Sequence, residues 1–306
     1  MIASDQTEPL TTTIHAQLPT SLSLEAEPSA WYDQQRRGRR GGSFLEGPSF
    51  DRDGNLYLVD IPYGRILKLD VTGAFTVVTR YHGQPNGLKI HPDGRLFVAD
   101  YLLGIMEVDP ISGNVSPFIG RDRIPNFKGC NDLVFAANGE LYFTDQGMTG
   151  LHDPTGRLYR FNRASRLECL IDNIPSPNGL VLDPSEEVLY LAVTRANAVW
   201  RVPFLLDGSP GKVGLFAQFQ GPGGPDGLAM DSAGNLSVVQ HGSGKVWLLS
   251  PLAEPIAVVH SCAGLDVTNL AYGGSDNREL FITESRSGTV LKTELTTPGQ
   301  PMYSHR

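Results

Sequence analysis

Two carboxylates, Glu46 and Asp226, occupy the same place in a repeated pattern that elsewhere carries asparagine. The full set is Glu46, Asn86, Asn131, Asn178, Asp226 and Asn269, at intervals of 40, 45, 47, 48 and 43 residues. Four of the six precede Gly-Leu or Gly-Pro. If the six converge, carboxylate and amide oxygens face one point, where buried polar groups need partners. An oxygen-only cage of this kind suits a hard cation. Calcium accepts carboxylate and amide oxygens in flexible geometry, two carboxylates balance its charge, and the set offers no sulfur or imidazole for zinc. The plainer alternative makes Asn-Gly and Asp-Gly turn residues at strand starts. Asn86 and Asn269 fit either role. Glu is not a turn residue, so the cage is the stronger reading for Glu46, Asn131, Asn178 and Asp226.

The elements that must position these residues follow from the repeat. Glu46-Gly-Pro-Ser-Phe-Asp-Arg-Asp-Gly-Asn-Leu-Tyr-Leu-Val-Asp60 aligns with Asn86 to Asp100 and with Asn131 to Asp145. Three further copies start at Asn178, Asp226 and Asn269, the last of them weaker and ending at Glu284. Each reads as a short strand, a turn with Asp-Gly, Asn-Gly or Gly-Asn, and a second strand with alternating apolar residues. Third strands follow, as in Arg65-Ile-Leu-Lys-Leu and Lys245-Val-Trp-Leu-Leu, and fourth strands as in Phe75-Thr-Val-Val-Thr. Four strands per ~40–50 residues is the period of a β-propeller, so the expected fold is all-β, a six-bladed propeller with a central metal site. Residues 44–306 form the propeller in this reading. Residues 1–43 form an N-terminal segment that joins it in one domain, with Thr11 to Leu18 supplying the outer strand that blade six lacks and covering a bare edge.

Composition narrows the function classes. A net charge of −8 gives no global attraction for nucleic acid. No run approaches the ~18 apolar residues of a membrane span. The first ten residues lack the basic start and apolar stretch of a secretory signal. Three cysteines, Cys130, Cys169 and Cys262, are sparse and without metal-type spacing, which suits a reducing compartment. The expectation is a cytoplasmic protein, monomeric or a small homo-oligomer, with no nucleic-acid or membrane partner. Cys130 reads as a packed thiol. Arg36-Arg-Gly-Arg-Arg-Gly-Gly reads as a solvated linker into blade one rather than a patch for a substrate carboxylate or nucleic acid, because it has no apolar pattern and the chain is acidic. The glycine-rich segment Gln146 to Gly156 is a candidate lid. Its His152 also fits an ordinary surface loop. Tyr101 and His241 follow the second strands of their blades and are candidate rim residues, with plain rim solvation as the alternative.

The chain resembles the regucalcin (senescence marker protein)/gluconolactonase family of six-bladed propellers over roughly Glu46 to Glu294. The resemblance rests on Phe44-Leu-Glu-Gly-Pro-Ser-Phe, Leu58-Val-Asp-Ile-Pro-Tyr-Gly-Arg-Ile, Asn178-Gly-Leu and Gly224-Pro-Asp-Gly-Leu. Blades two and three are similar to drug-responsive bacterial lactonases in Leu88 to Val98 and Asn131-Asp-Leu-Val-Phe, and Gly129-Cys-Asn-Asp132 resembles diisopropyl-fluorophosphatase. The resemblance implies a divalent metal held by Glu46, Asn178 and Asp226, with Asn131 ligating or beside it. Calcium is the expected ion, and manganese, magnesium, zinc or ferrous iron are known alternatives in such a site. It also implies a lactonase acting on a small-molecule lactone or ester, in which the cation polarises the carbonyl and Asp226 is the catalytic general base. Asp226 as nucleophile, or water activated by the cation without it, are the competing routes. A phosphotriesterase or fluorophosphatase activity and a non-enzymatic calcium-binding propeller are the alternative functions. Asn86, Asp132, Tyr101, His152, His241 and Asn269 are the candidate substrate contacts. The chain departs from regucalcin at Gly129, where that protein has an arginine for sugar-lactone hydroxyls, and from paraoxonases at Asn86, where they have histidine.

Overall fold

A computed structural model describes residues 7–38 and 41–306. The described strands form six antiparallel four-stranded meanders arranged around a channel, as a six-bladed β-propeller. The innermost strands are Leu45–Phe50, Pro85–Ile90, Cys130–Phe135, Pro177–Leu182, Pro225–Met230 and Val267–Gly273. Neighbouring inner strands pack on one another all the way round, the sixth against the first.

Six hydrophobic clusters hold the ring, and each is shared by two adjacent blades. The second strands explain how. In Leu56–Asp60 every residue is buried. Leu58 packs toward blade six and Val59 toward blade two, because successive side chains leave a strand on opposite faces. Val238 and Val239 of blade five divide in the same way. A strand buried on both faces reads as a continuous apolar run, as Leu-Tyr-Leu-Val and Val-Leu-Tyr-Leu-Ala-Val do here.

The N-terminal segment contributes two strands. Thr13–Gln17 pairs antiparallel with Thr289–Glu294 as the outer strand of blade six. Glu8–Thr11 pairs parallel with Pro255–His260, which makes blade five a five-stranded sheet. A short helix, Ala30–Gln35, then crosses toward one mouth of the channel, where Trp31 is buried against blade one. Arg39 and Arg40 of the arginine-rich segment lie outside the described residues, as does the start of the chain. Arg36 is described, and it lies against the channel mouth rather than in a free linker.

The C-terminal tail covers the opposite mouth. Gln300 donates from its backbone to Met230, Ser232 to Pro298, and Arg52 donates to the Ser304 and Arg306 carbonyls. Tyr303 stacks on Phe135 with centroids 4.7 Å apart. A space of about 100 Å³ lies beneath this plug. Approach to the channel is therefore from the helix side. No helix among the described residues is long and apolar enough to cross a membrane.

Candidate metal centre and substrate cleft

Each inner strand is pinned at its start and then bulges. Its first residue pairs with the last residue of the second strand: Leu45 with Asp60, Pro85 with Asp100, Cys130 with Asp145, Pro177 with Val193, Pro225 with Gln240 and Val267 with Glu284. A register shift follows within the next residues of all six. Bulges re-aim side chains, and these turn the second residue of each strand into the channel. Glu46, Asn86, Asn131, Asn178 and Asp226 hold that second position.

The glycine that follows is required by close approach, not by a turn. A Cβ on Gly179 would lie 2.4 Å from the Asp226 carbonyl oxygen, and one on Gly87 2.4 Å from an Asp132 carboxylate oxygen. Asn86-Gly87 lies inside a strand, so the turn reading does not apply to Asn86. In two blades the glycine position is polar instead. Asp132 takes it in blade three and Asn269 in blade six. The repeat alignment is off by one residue in blade six. Pairing of Val267 with Glu284 and of Leu270 with Ile282 puts Thr268 at the ring position. Thr268 turns its hydroxyl onto the Leu45 carbonyl at 2.8 Å. The cause is the missing glycine, which made Asn269-Leu look like the start of the copy.

Asn269 sits one layer below the ring and is fully engaged. Its Nδ2 donates to Glu46 Oε2 at 2.8 Å and to Asp132 at 3.4 Å, and its Oδ1 accepts from the Leu270 backbone. It orients Glu46, which also accepts from the Gly47 backbone at 2.7 Å. Asp132 is buried beside it and accepts from the Leu133 backbone.

Acidic residues closing the second strands set the height of the ring. Asp60 accepts from the Phe44 backbone, Asp145 from Lys128 and Gly129, and Glu284 from Asp266. Each ties down the loop that leads into an inner strand. Asp60 is itself held by the buried Arg65, which donates to it at 2.6 and 2.8 Å. Gln146 acts on a ring residue directly. It accepts from Asn131 Nδ2 at 2.9 Å and donates to Ser176 at 3.0 Å, which leaves Asn131 Oδ1 facing the channel.

The electrostatics are dominated by burial of like charges. Burial, then Asp226 and Asp132, push Glu46 well above its usual range. Burial, then Asp132, raise Asp226 from 3.8 to about 8, against the opposing pull of Asn178, Arg195 and Arg36. Buried carboxylates in this state are a fitting seat for a cation. The donors are all oxygens: Glu46 and Asp226 carboxylates with the Asn131 and Asn178 amides. No cluster of three His, Cys, Asp or Glu side chains is arranged as a metal site among the described residues, so amide oxygens must complete any coordination set here. The donor chemistry fits calcium.

Above the ring is a cleft of about 230 Å³, lined by Glu46, Asn86, Asn131, Asn178 and Asp226, with Tyr101 and His241 on its walls. His241 Nδ1 lies 3.1 Å from the Val267 carbonyl, so that nitrogen carries the proton, and 3.9 Å from Asp226. Burial lowers its pKa and keeps the imidazole neutral, with Nε2 unprotonated. Tyr101 packs on Gly129 and bonds Gln35 of the helix. His152 is exposed in the Gln146 to Gly156 loop and lies beside Arg195 at the outer rim, away from the ring. Cys130 is buried, and burial raises its thiol pKa. The helix residues Gln35 and Arg36, and Phe44, Gln146, Ser176 and Arg195, also line the cleft; none shares the repeat that exposed the ring.

Residues 44–286 match the family described as the SMP-30/gluconolactonase/LRE-like region. The chain belongs to this family. Among proteins similar to this SMP-30/gluconolactonase/LRE-like chain is a gluconolactonase of Zymomonas mobilis, 28% identical with 81% of this chain and 78% of that one covered. Another is lactonase drp35 of Staphylococcus saprophyticus, 33% identical over 79% and 75%. Two solved structures share the fold. One is a calcium-binding protein, regucalcin, from Agrobacterium tumefaciens, with a TM-score of 0.78 and 20% identity over 98% and 99% of the two chains. The other is a gluconolactonase from Xanthomonas campestris, with a TM-score of 0.71 and 22% identity over 84% and 86%.

Proposed function

We propose that this chain is a lactonase that opens a small lactone at the channel mouth with the help of a divalent cation, calcium by donor type. The observation that carries the reading is the buried pair Glu46 and Asp226, raised in pKa and flanked by the amides of Asn131 and Asn178. Relatives named gluconolactonase and lactonase supply the reaction class.

Glu46, Asn131, Asn178 and Asp226 would hold the cation, which when bound supplies Lewis acidity toward the lactone carbonyl. Asn269 and Gly47 fix Glu46 in place, and Gln146 presents the Asn131 oxygen. Asp226 accepts the proton of the attacking water. Unligated, it has a pKa about 8, close to neutral pH, and cation ligation sets its working basicity lower. The acyl carbon–oxygen bond then breaks, the ring oxygen takes up a proton, and the new carboxylic acid ionises. Neutral His241, 3.9 Å from Asp226, borders this proton path. Tyr101, Phe44 and the helix wall exclude water around it.

The test is hydrolysis of a panel of sugar lactones, γ-butyrolactone and dihydrocoumarin, followed with a pH indicator. Activity should disappear with EDTA, return with calcium or manganese, and fall at least ~10³-fold in Asp226→Asn, the scale expected for losing a general base together with a ligand. A folded, calcium-binding protein inert on every lactone would refute the proposal.

A further inference from the structure

The molecule carries a net charge of −8, yet two arginines from distant parts of the chain close over the buried carboxylates. Arg36 ends the helix. Its guanidinium carbon lies 5.5 Å from the Trp31 ring centre and 5.3 Å from that of Phe44. Stacking on aromatic faces fixes the plane of a guanidinium and leaves its N–H edge free for a planar anion. Arg195 belongs to the turn Thr194–Ala196 that follows the second strand of blade four. That turn is clamped to the entry of the Asp226 strand. Thr194 Oγ1 donates to the Pro225 carbonyl at 2.8 Å, and a Cβ on Gly224 would meet the Thr194 carbonyl oxygen at 2.1 Å. The stem of Arg195 also lies against Gly150 of the blade-three loop.

Both arginines line the cleft that holds Glu46 and Asp226. Both act electrostatically on Asp226 and on His241. Neither reaches a carboxylate: no acidic group lies within 4.0 Å of either among the described residues, whereas Arg65, Arg95 and Arg160 are ion-paired. A guanidinium placed to neutralise Glu46 or Asp226 would touch it. These two border the cleft of about 230 Å³ without closing on either carboxylate. Two fixed cations facing a walled cleft concentrate anions in it.

We propose that Arg36 and Arg195 form a clamp for a carboxylate carried by the substrate, so that the lactone opened here is an acidic one and its product a hydroxy-dicarboxylate. This rests on the lactonase reading. Water adds its oxygen to the acyl carbon, the acyl–oxygen bond breaks, the ring oxygen takes a proton, and one proton is released as the second carboxylate forms. The substituent carboxylate is unchanged and stays on the guanidiniums.

A matched pair of substrates tests it: γ-butyrolactone and 5-oxotetrahydrofuran-2-carboxylate, which yields 2-hydroxyglutarate. With calcium-loaded protein at low salt, kcat/KM should favour the acidic lactone at least tenfold. The preference should shrink as sodium chloride is raised. Arg36→Gln and Arg195→Gln should each cut the acidic-to-neutral ratio about tenfold, which is about 1.4 kcal/mol. Calorimetric titration with 2-hydroxyglutarate should show the same loss of affinity, while the calcium dissociation constant moves less than threefold. A ratio near one, or variants that slow both lactones equally, overturns the clamp and leaves the lactonase standing. A large change in calcium affinity with an unchanged ratio shows that the arginines serve the cage and also overturns it. If neither lactone is opened, the lactonase reading fails. The 2-hydroxyglutarate titration then decides the clamp alone, and absence of arginine-dependent binding refutes it.

Discussion

Asp226→Asn should make the metal-free protein more stable at pH 8, although it removes the residue placed at the centre of the chemistry. The carboxyl is moved from 3.8 to about 8 by burial and by Asp132. At 1.36 kcal/mol per unit, ionising it in place costs roughly 6 kcal/mol. The sign follows from linkage. An acid whose folded pKa is raised leaves the protein most stable below its unfolded value and costs stability as pH climbs from there through the folded value. Asparagine has no such dependence. The gap between variant and parent should be near zero at pH 4 and widen to about 3 kcal/mol at pH 8, less than the full cost because Glu46 ionises more easily once Asp226 is gone. At roughly 2 °C per kcal/mol for a chain of this size, that is a rise in Tm of about 6 °C. Calcium should reverse the order. At a thousandfold excess over its dissociation constant it adds about 4.1 kcal/mol to the parent, more than the gap of about 3 kcal/mol, and far less to a variant with one anionic ligand. Thermal melts in EDTA and in calcium, from pH 4 to 8, read both effects. A metal-free variant that is less stable than the parent at pH 8, or a gap that does not change with pH, would refute the view that this cage stores unfavourable charge for a cation to relieve.

Arg65→Met should cost about 3–5 kcal/mol in denaturant unfolding, because it leaves Asp60 buried and ionised without its partner; a loss under 1 kcal/mol would contradict the role given to that pair. Removing residues 1–25 should lower stability and promote association, since it bares the edges of Thr289–Glu294 and Pro255–His260 together; unchanged melting and a monomeric elution profile would count against it.

The parts of this molecule that a reader can extract from the chain are those that six blades share. The Glu46 to Asp60 pattern is legible because one geometric problem, a strand that must bulge into a channel beside its neighbour, recurs six times and selects the same residues. Even the acids Asp60, Asp100, Asp145 and Glu284 recur at the end of the second strand, each holding the loop that enters its inner strand, Asp100 by accepting from the Tyr81 hydroxyl. Where a blade departs from the rule, the pattern misleads. Asn269 replaces a glycine, so its blade reads one residue out of register, and its amide turns out to brace Glu46.

What breaks the symmetry was not legible, and it is what makes the mouth a site for one ligand rather than another. The helix Ala30–Gln35 has too few residues to show a period, and its docking depends on Trp31 finding blade one in space. Gln146 matters only because blade three brings it under Asn131 and beside Ser176, thirty residues on. Arg195 lies 159 positions from Arg36; blade six has Arg286 at the same place after its second strand, but that arginine does not line this cleft. A repeat can announce where a cation sits, because the cage is built from equivalent positions. Selectivity for a substrate requires unequal walls, and those come from the N-terminal helix and the blade-three loop, and from the blade-four turn, whose residues differ from those of the equivalent turn Ile61–Tyr63 in blade one. Substitutions in the shared inner strands should therefore abolish activity on every substrate alike. Substitutions in these unequal walls should change which lactone is opened, and the acidic-to-neutral ratio in Arg36→Gln and Arg195→Gln measures that division directly.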